Sequence, residues 1–167
     1  VTIAAGQTNS CAVLRSGVVQ CWGSNESGQL GDGSLTSSPK AVAVTGINNA
    51  SAVVVGGSHS CALLNSGVVT CWGSNSAGQL GSPGANSIIP RTVTGVSNAV
   101  AISAGSGHTC VALNSGAVQC WGNGSSGQLG NGTSYLSFSP VAASGISTAV
   151  AVAAADSHTC ALLRSGT

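Results

Sequence analysis

Cysteine and histidine are the residues with the most distinctive chemistry in this chain, and they recur together. Two cysteines separated by nine residues occur three times, and the second is always followed by tryptophan: Cys11 and Cys21, Cys61 and Cys71, Cys110 and Cys120. The leading cysteine therefore returns at intervals of 50 and 49 residues, and a further 50 residues on, Cys160 opens a fourth copy. His59, His108 and His158 each precede such a cysteine by two residues.

These residues offer two kinds of chemistry, metal binding and disulfide formation. A reduced chain would present His59, Cys61 and Cys71 as three zinc ligands. Asn9 replaces the histidine in the first copy, however, and a hairpin between the two cysteines of a pair would place them opposite each other. We therefore predict three disulfides, no metal site and an oxidising, extracellular or periplasmic compartment. The partner of Cys160 would fall just beyond Thr167, so we expect this thiol to be unpaired through truncation.

Little else in the sequence suggests catalysis or a charged partner. Only 4% of residues are charged, with four Lys or Arg and three Asp or Glu. No carboxylate pair, nucleophile–base pair or cofactor motif is present, so we predict neither an enzyme nor a cofactor. The repeated Gly-Gln-Leu-Gly lacks the lysine of a phosphate loop. Without a basic patch or a run of about 20 apolar residues, nucleic-acid binding and membrane insertion are not expected.

The elements that position the cysteines are the two strands of a hairpin. Two apolar runs, Cys11–Leu14 and Val18–Trp22, flank Arg15-Ser16-Gly17, and glycine suits the left-handed position that ends such a turn. Pairing Leu14 with Val18 sets Cys11 opposite Cys21. Both faces of the hairpin are apolar, which predicts a sheet covered on both sides.

Two further strands complete each unit. Short runs rich in Ala, Val and Gly precede each hairpin at 1–6, 52–57, 99–105 and 149–155, and runs that open with proline follow it at 39–46, 90–95 and 140–145. No segment has a helical period. The sequence thus predicts an all-β fold: three complete four-stranded antiparallel blades of a β-propeller and two strands of a fourth.

The residues also match a known family. Ser-His-Thr-Cys-Ala-Leu, then Ser-Gly-x-Val-x-Cys-Trp-Gly, then Ser-Gly-Gln-Leu-Gly, resembles the RCC1 (regulator of chromosome condensation) repeat, in disulfide-containing copies of a bacterial or extracellular type. The resemblance covers essentially the whole chain. It implies a propeller of, usually, seven blades, and histidines that are buried and hydrogen-bonded to neighbouring backbone. Members of the family range from nucleotide-exchange factors to secreted binding and inhibitor proteins, so it leaves the function open.

Two sets of side chains have predicted positions within this fold. We expect Trp22, Trp72 and Trp121 to pack in the blade core together with His59, His108 and His158. Tyr135 and Phe138 are the only tyrosine and phenylalanine, and both lie in a loop that varies between copies. They are either binding anchors or packing residues of their own blade.

We interpret residues 1–167 as one array, with repeats at about 1–50, 51–98 and 99–148 and a partial repeat at 149–167, belonging to a longer propeller or assembly. The favoured function is a non-catalytic extracellular structural or binding module that contacts a protein partner, or further copies of itself, through blade faces and variable loops. The alternative is a secreted propeller that binds a protein or a glycan, or that acts as an inhibitor. A small-GTPase exchange factor is least favoured because the chain has so few acidic groups.

Overall fold

The computed structural model describes residues 2–167, and Val1, the predicted start of the first strand, lies outside them. The described residues form fourteen strands and no helix, arranged as three antiparallel four-stranded sheets and one strand pair, each in sequence order. We call the sheets blades 1 to 3 and the pair the half-blade. Blade 1 comprises β1 (Thr2–Ala5), β2 (Asn9–Val13), β3 (Val19–Gly23) and β4 (Ser38–Ala43). Blade 2 comprises β5 (Ala50–Val55), β6 (His59–Leu64), β7 (Val69–Gly73) and β8 (Ser87–Thr92). Blade 3 comprises β9 (Ala99–Ala104), β10 (His108–Leu113), β11 (Val118–Gly122) and β12 (Ser137–Ala142), and the half-blade comprises β13 (Ala149–Ala154) and β14 (Thr159–Leu163).

The central hairpin of each blade forms as its turn residues predict. Gly17 adopts a φ of 83°, and the Leu14 amide donates to the Val18 carbonyl at 2.9 Å. This register places Cys11 opposite Cys21, with 4.0 Å between their Cα atoms, and the two are disulfide-bonded. The same pairing and bond recur in the other complete blades, at Cys61–Cys71 and Cys110–Cys120.

The outer strand of each blade differs from its prediction. We expected these strands to open with proline, but β4, β8 and β12 begin earlier, at a serine that pairs with the glycine after each tryptophan. A bulge follows that serine, and Pro39, Pro90 and Pro140 all lie within it. The missing proline N–H costs no ladder hydrogen bond there, since residues in a bulge are released from pairing.

Successive sheets pack face to face. The innermost strands contact one another in order: β1 meets β5, β5 meets β9, and β9 meets β13. Small residues allow this approach, because a Cβ on Gly105 would collide with the backbone carbonyl of Ala155 in the next sheet. Three apolar clusters fill the spaces between the sheets, each drawing residues from two of them. The architecture is that of consecutive blades of a β-propeller, which confirms the predicted fold class.

Candidate functional site

A buried carbonyl group joins each blade to the next. The carbonyl oxygen of Gln29 in blade 1 accepts hydrogen bonds from Trp72 Nε1 at 2.9 Å and from Ser60 Oγ at 3.0 Å, both in blade 2. The carbonyl of Gln79 accepts in the same way from Trp121 Nε1 at 2.9 Å and Thr109 Oγ1 at 3.1 Å. Blades 1 and 2 thus each offer one acceptor, and the following complete blade supplies two donors.

The histidines extend this contact by one step. His59 Nε2 lies 2.9 Å from Thr109 Oγ1. Because the single hydroxyl proton of Thr109 is donated to the Gln79 carbonyl, His59 Nε2 must be the donor of this bond. His108 Nε2 lies 2.9 Å from Thr159 Oγ1 in the same relation. The expected hydrogen bond to backbone is therefore wrong: the histidine side chains bond to a hydroxyl of the next sheet.

Blade 1 makes the same contact without a histidine. Asn9 Nδ2 donates to Ser60 Oγ at 3.3 Å, and Ser60 in turn donates to the Gln29 carbonyl. An amide N–H therefore replaces the imidazole N–H. The requirement at this position is a donor aimed at the next blade.

Burial fixes the protonation of these imidazoles. Burial and, secondarily, the positive charge that His108 would carry lower the pKa of His59 to about 4. Burial also lowers the pKa of His108, more than the charge of His158 does, while Asp156 opposes the shift. The Nδ1 atoms of His59 and His108 are buried without a hydrogen-bond partner, so a second proton would have no acceptor. The rings are neutral donors rather than acid–base groups.

The predicted core residues are buried in the middle of the array and more exposed at its two ends. Trp72, Trp121, His59 and His108 are fully buried. Trp22 is only half-buried, since no described sheet precedes blade 1. The core prediction is wrong for His158, which is exposed because no described sheet packs beyond the half-blade. Cys160 is exposed as well and, within residues 2–167, forms no disulfide.

The alternative zinc site is not formed. Cys61 and Cys71 are bonded to each other, so their sulfurs are not the thiolates that zinc requires. Among residues 2–167, no group of three or more His, Cys, Asp or Glu side chains is gathered as a metal site would be. The same residues include no helix long and apolar enough to cross a membrane.

Variable loops connect the third and fourth strands of each blade, at residues 24–37, 74–86 and 123–136. A buried asparagine organises the first: Asn25 Oδ1 accepts from the Leu30 amide at 2.9 Å, and Asn25 Nδ2 donates to the carbonyls of Ser34 and Thr36. Asn75 organises the second loop in the same way. Neither residue was predicted to have this role, although each lies four residues after the second cysteine of its pair.

The third loop is built differently. Gly124 takes the place of the asparagine, and a Cβ there would collide with the carbonyl oxygen of Tyr135. The backbone of Tyr135 thus fills the space of the missing side chain, while the residue as a whole is 78% exposed. Phe138 is half-buried at the start of β12, and its Cα lies 2.8 Å from the position of a Cβ on Gly78 in blade 2. Tyr135 is thus the more exposed of the two aromatic residues.

Other apolar side chains of the variable loops and the adjacent strands are also exposed. We define the apolar rim as Leu35, Ile88, Ile89, Tyr135 and Leu136, with exposed fractions between 40% and 78%. The first loop contacts blade 2 here, because the Gly33 amide donates to the Ile88 carbonyl at 3.0 Å. The sequence pointed only to the aromatic residues, and the four aliphatic ones were missed because any loop could have buried them.

Family models decide the classification of the chain. Two models described as the Regulator of chromosome condensation (RCC1) repeat match it, one over residues 16–63, 66–112 and 115–162 and the other over 1–29, 50–79 and 99–128. The chain belongs to the RCC1 repeat family. No curated protein sequence matches it.

Solved structures place these RCC1 repeats within known propellers. Human WBSCR16 is similar at a TM-score of 0.86 and 23% identity, over 98% of this chain and 44% of that one. Prp20p from Saccharomyces cerevisiae, described with binding to Gsp1p and histones, gives 0.84 and 21%, over 96% and 42%. The ectodomain of the receptor kinase CR4 from Physcomitrella patens gives 0.62 and 22%, over 97% and 37%. The chain spans less than half the length of each, and at these identities the likeness concerns the fold.

Proposed function

We propose that this chain is a non-catalytic extracellular binding module, in which RCC1 blades, each closed by its own internal disulfide, hold the apolar rim against a protein partner. The observation that carries the proposal is the rim itself: five large apolar side chains stand exposed on successive blades of a rigid scaffold. Apolar and aromatic anchors on a rigid support are the usual centre of a protein interface.

The extracellular setting is supported by the cysteines. Each complete blade is closed by its own disulfide, and such bonds persist in oxidising compartments. The similarity of the fold to the ectodomain of a receptor kinase, at a TM-score of 0.62, is a second observation that supports this setting. A periplasmic location satisfies the same chemistry.

Two other functions remain as outcomes of the same experiment. Glycan binding by the variable loops would rest on their Ser, Thr and Asn side chains. Binding to a small GTPase is implied by the resemblance to nucleotide-exchange factors of the RCC1 family, but the three acidic residues of this chain offer little charge for a nucleotide-exchange surface.

Binding to defined probes tests the proposal. The probes are a displayed peptide library, a glycan array and a purified small GTPase. A double variant, Leu35→Ser with Tyr135→Ser, removes two rim anchors, and Ile3→Ser with Val100→Ser is the matched control because those residues are 72% and 52% exposed away from the rim.

We expect peptides selected on the unmodified chain to bind the rim variant at least about tenfold more weakly, and the control unchanged. Thermal unfolding of both variants verifies that they fold. Equal binding by the rim variant, or selective binding of a glycan or the GTPase alone, would overturn the proposal.

A further inference from the structure

A cleft of about 360 Å³ lies between blades 1 and 2. The connection from β4 to β5 lines one side, with Thr45, Ile47 and Asn49, and the face of blade 2 that carries Leu64 and Thr70 lines the other. Both blades that enclose the cleft are complete four-stranded sheets. The cleft is therefore a feature of the contact between two whole repeats.

Most of the cleft surface is aliphatic. Ile47 is buried and Leu64 partly buried in the apolar cluster between the two blades, and Ile89 and Pro90 of β8 add to the same surface. Among the described residues that line the cleft, none is charged. An ionic group bound there would lose its solvation without gaining an opposite charge. The lining therefore favours a neutral ligand.

A buried hydroxyl group is the polar feature of the cleft. Thr70 lines the cleft from β7 and is 7% exposed. Its Oγ1 atom is buried and has no hydrogen-bond partner within residues 2–167. Leaving a buried hydroxyl unpaired is destabilising, and this group can both donate and accept a hydrogen bond. A ligand that carries a hydroxyl group would satisfy it in either direction.

The other complete blades carry a longer side chain at this position. The residue two places before each tryptophan is Gln20, Thr70 or Gln119. Since Trp121 bonds to blade 2, Gln119 faces blade 2 as well, and its Oε1 atom is buried. Threonine is shorter than glutamine, so between blades 1 and 2 it leaves open the space that a neutral amide occupies between blades 2 and 3.

We propose that this cleft is a binding site for a compact neutral molecule with a hydroxyl group on an apolar ring, of which a phenol is the simplest example. The ring packs on Ile47 and Leu64, and its hydroxyl group hydrogen-bonds to Thr70. A cavity of about 150 Å³ holds benzene, so a cleft of about 360 Å³ has room for roughly ten to fourteen non-hydrogen atoms. A ring is favoured over a flexible chain because it loses less conformational freedom on binding.

The cleft is separate from the proposed function of the apolar rim. Ile89 belongs to both, but Leu35 and Tyr135 do not line the cleft. The rim variant, Leu35→Ser with Tyr135→Ser, should therefore bind a phenol as the unmodified chain does, even where it loses a peptide. Loss of phenol binding in this variant would place the probe on the rim and overturn the cleft site.

Two probes of nearly equal shape test the ligand chemistry. We expect para-propylphenol, followed by the backbone amide shifts of the isotope-labelled chain, to give saturable changes at Gly46 and Thr70. Gly95, which holds the position of Gly46 in the next connection, should not respond. The phenol should bind about fivefold more tightly than propylbenzene, which lacks the hydroxyl group, and para-propylbenzoate should not bind because it is charged. Equal affinities of the phenol and propylbenzene, or shifts that never saturate, would overturn the proposal.

A filled cleft tests the location. Thr70→Gln copies the side chain of Gln119, so both neutral probes should bind at least about tenfold more weakly. Thr94→Gln places the same side chain at an exposed position outside the cleft and should bind as the unmodified chain does. Binding retained by a folded Thr70→Gln chain would contradict the location, as would equal loss in both variants.

The variant Thr70→Val separates the hydrogen bond from the shape of the cleft. Valine has nearly the shape of threonine but no hydroxyl group, so propylbenzene should bind as before. The fivefold preference for para-propylphenol should disappear. Unchanged tryptophan fluorescence verifies that each variant is folded. A preference that survives in Thr70→Val would refute the role of the Thr70 hydroxyl group.

Discussion

Acid should destabilise this protein mainly through two buried rings, and the substitution His59→Asn isolates one of them. The chain itself suggests the substitution, because Asn9 makes the equivalent donor contact in blade 1. An asparagine at position 59 keeps an N–H for Thr109 but has no proton to gain. The comparison therefore separates titration from loss of the hydrogen bond.

The sign and size of the change in stability with pH follow from the pKa of His59. His59 has a folded pKa of about 4, below the ordinary value of 6.5, so the unfolded chain binds more protons between these two values. The contribution to stability is complete above pH 6.5 and is lost as the pH falls toward 4. At about 1.36 kcal/mol per pH unit, His59 alone accounts for about 3 kcal/mol of unfolding free energy lost between neutral pH and pH 4.

The unfolding free energy of His59→Asn should be lower than that of the unmodified chain at neutral pH, and it should decrease less steeply as the pH falls. Removing most of a buried ring costs about 2 kcal/mol at neutral pH. Because the variant is spared the loss at His59, it should equal or exceed the unmodified chain in stability near pH 4. His108 adds acid sensitivity of the same sign to both proteins.

Urea unfolding followed by tryptophan fluorescence at a series of pH values gives the measurement. Ser97→Asn is the matched control, because it places the same side chain at an exposed position without a titratable group and should leave the pH profile unchanged. The chain has only three Asp and Glu residues, so carboxylate titration contributes little background. Parallel profiles for the unmodified chain and His59→Asn would refute the assignment of a buried neutral ring.

Three further outcomes are expected. Trp72→Phe removes a buried N–H donor and should lower the unfolding free energy by about 1–2 kcal/mol, as measured by urea unfolding. Trp22→Phe changes a half-buried residue and should cost less than about 0.5 kcal/mol; equal costs would contradict the hydrogen bond of Trp72 to the preceding blade. Gly105→Ala drives a methyl into the next sheet and should cost about 3 kcal/mol in a thermal unfolding assay, while Gly107→Ala, whose Cβ meets nothing nearer than 3.5 Å, should be nearly neutral; the reverse order would refute the packing. Thiol titration of the denatured chain should find one thiol, that of Cys160, and seven after reduction, with each lost disulfide costing about 2–3 kcal/mol; seven before reduction would remove the case for an oxidising compartment.

The sequence predicted what depends on neighbours along the chain. Gly17 fixes a hairpin turn, the turn fixes the register, and the register places Cys11 opposite Cys21. The repeat period then sets the number and order of the strands. Each of these steps needs only local geometry and the alternation of side chains along a strand.

For features that depend on a neighbouring sheet, the sequence yielded no prediction or a wrong one. The serine or threonine after each histidine position acts on a carbonyl about 30 residues earlier, and only the stacked sheets bring the two together. Trp22 and His158 carry the same signals as their buried counterparts, yet they lack a covering sheet within the described residues. The bulges that hold the prolines were hidden because a bulge leaves no regular period in the sequence.

The apolar rim was predicted only in part, for a similar reason. Tyr135 stood out as the only tyrosine, but its exposure results from Gly124, which lets the backbone fill the position of an asparagine. The aliphatic members of the rim carry no distinctive sequence signal. Their exposure depends on how each loop folds around Asn25 or Asn75.

The carbonyl contact between blades has a direction that bears on how the chain emerges from a ribosome. The acceptor at Gln29 is synthesised first, and its two donors follow 31 and 43 residues later. A nascent blade therefore keeps a solvated carbonyl until most of its successor has been made. The contacts between blades therefore form one after another during translation, and each new repeat supplies the hydrogen-bond donors for the carbonyl of the repeat before it.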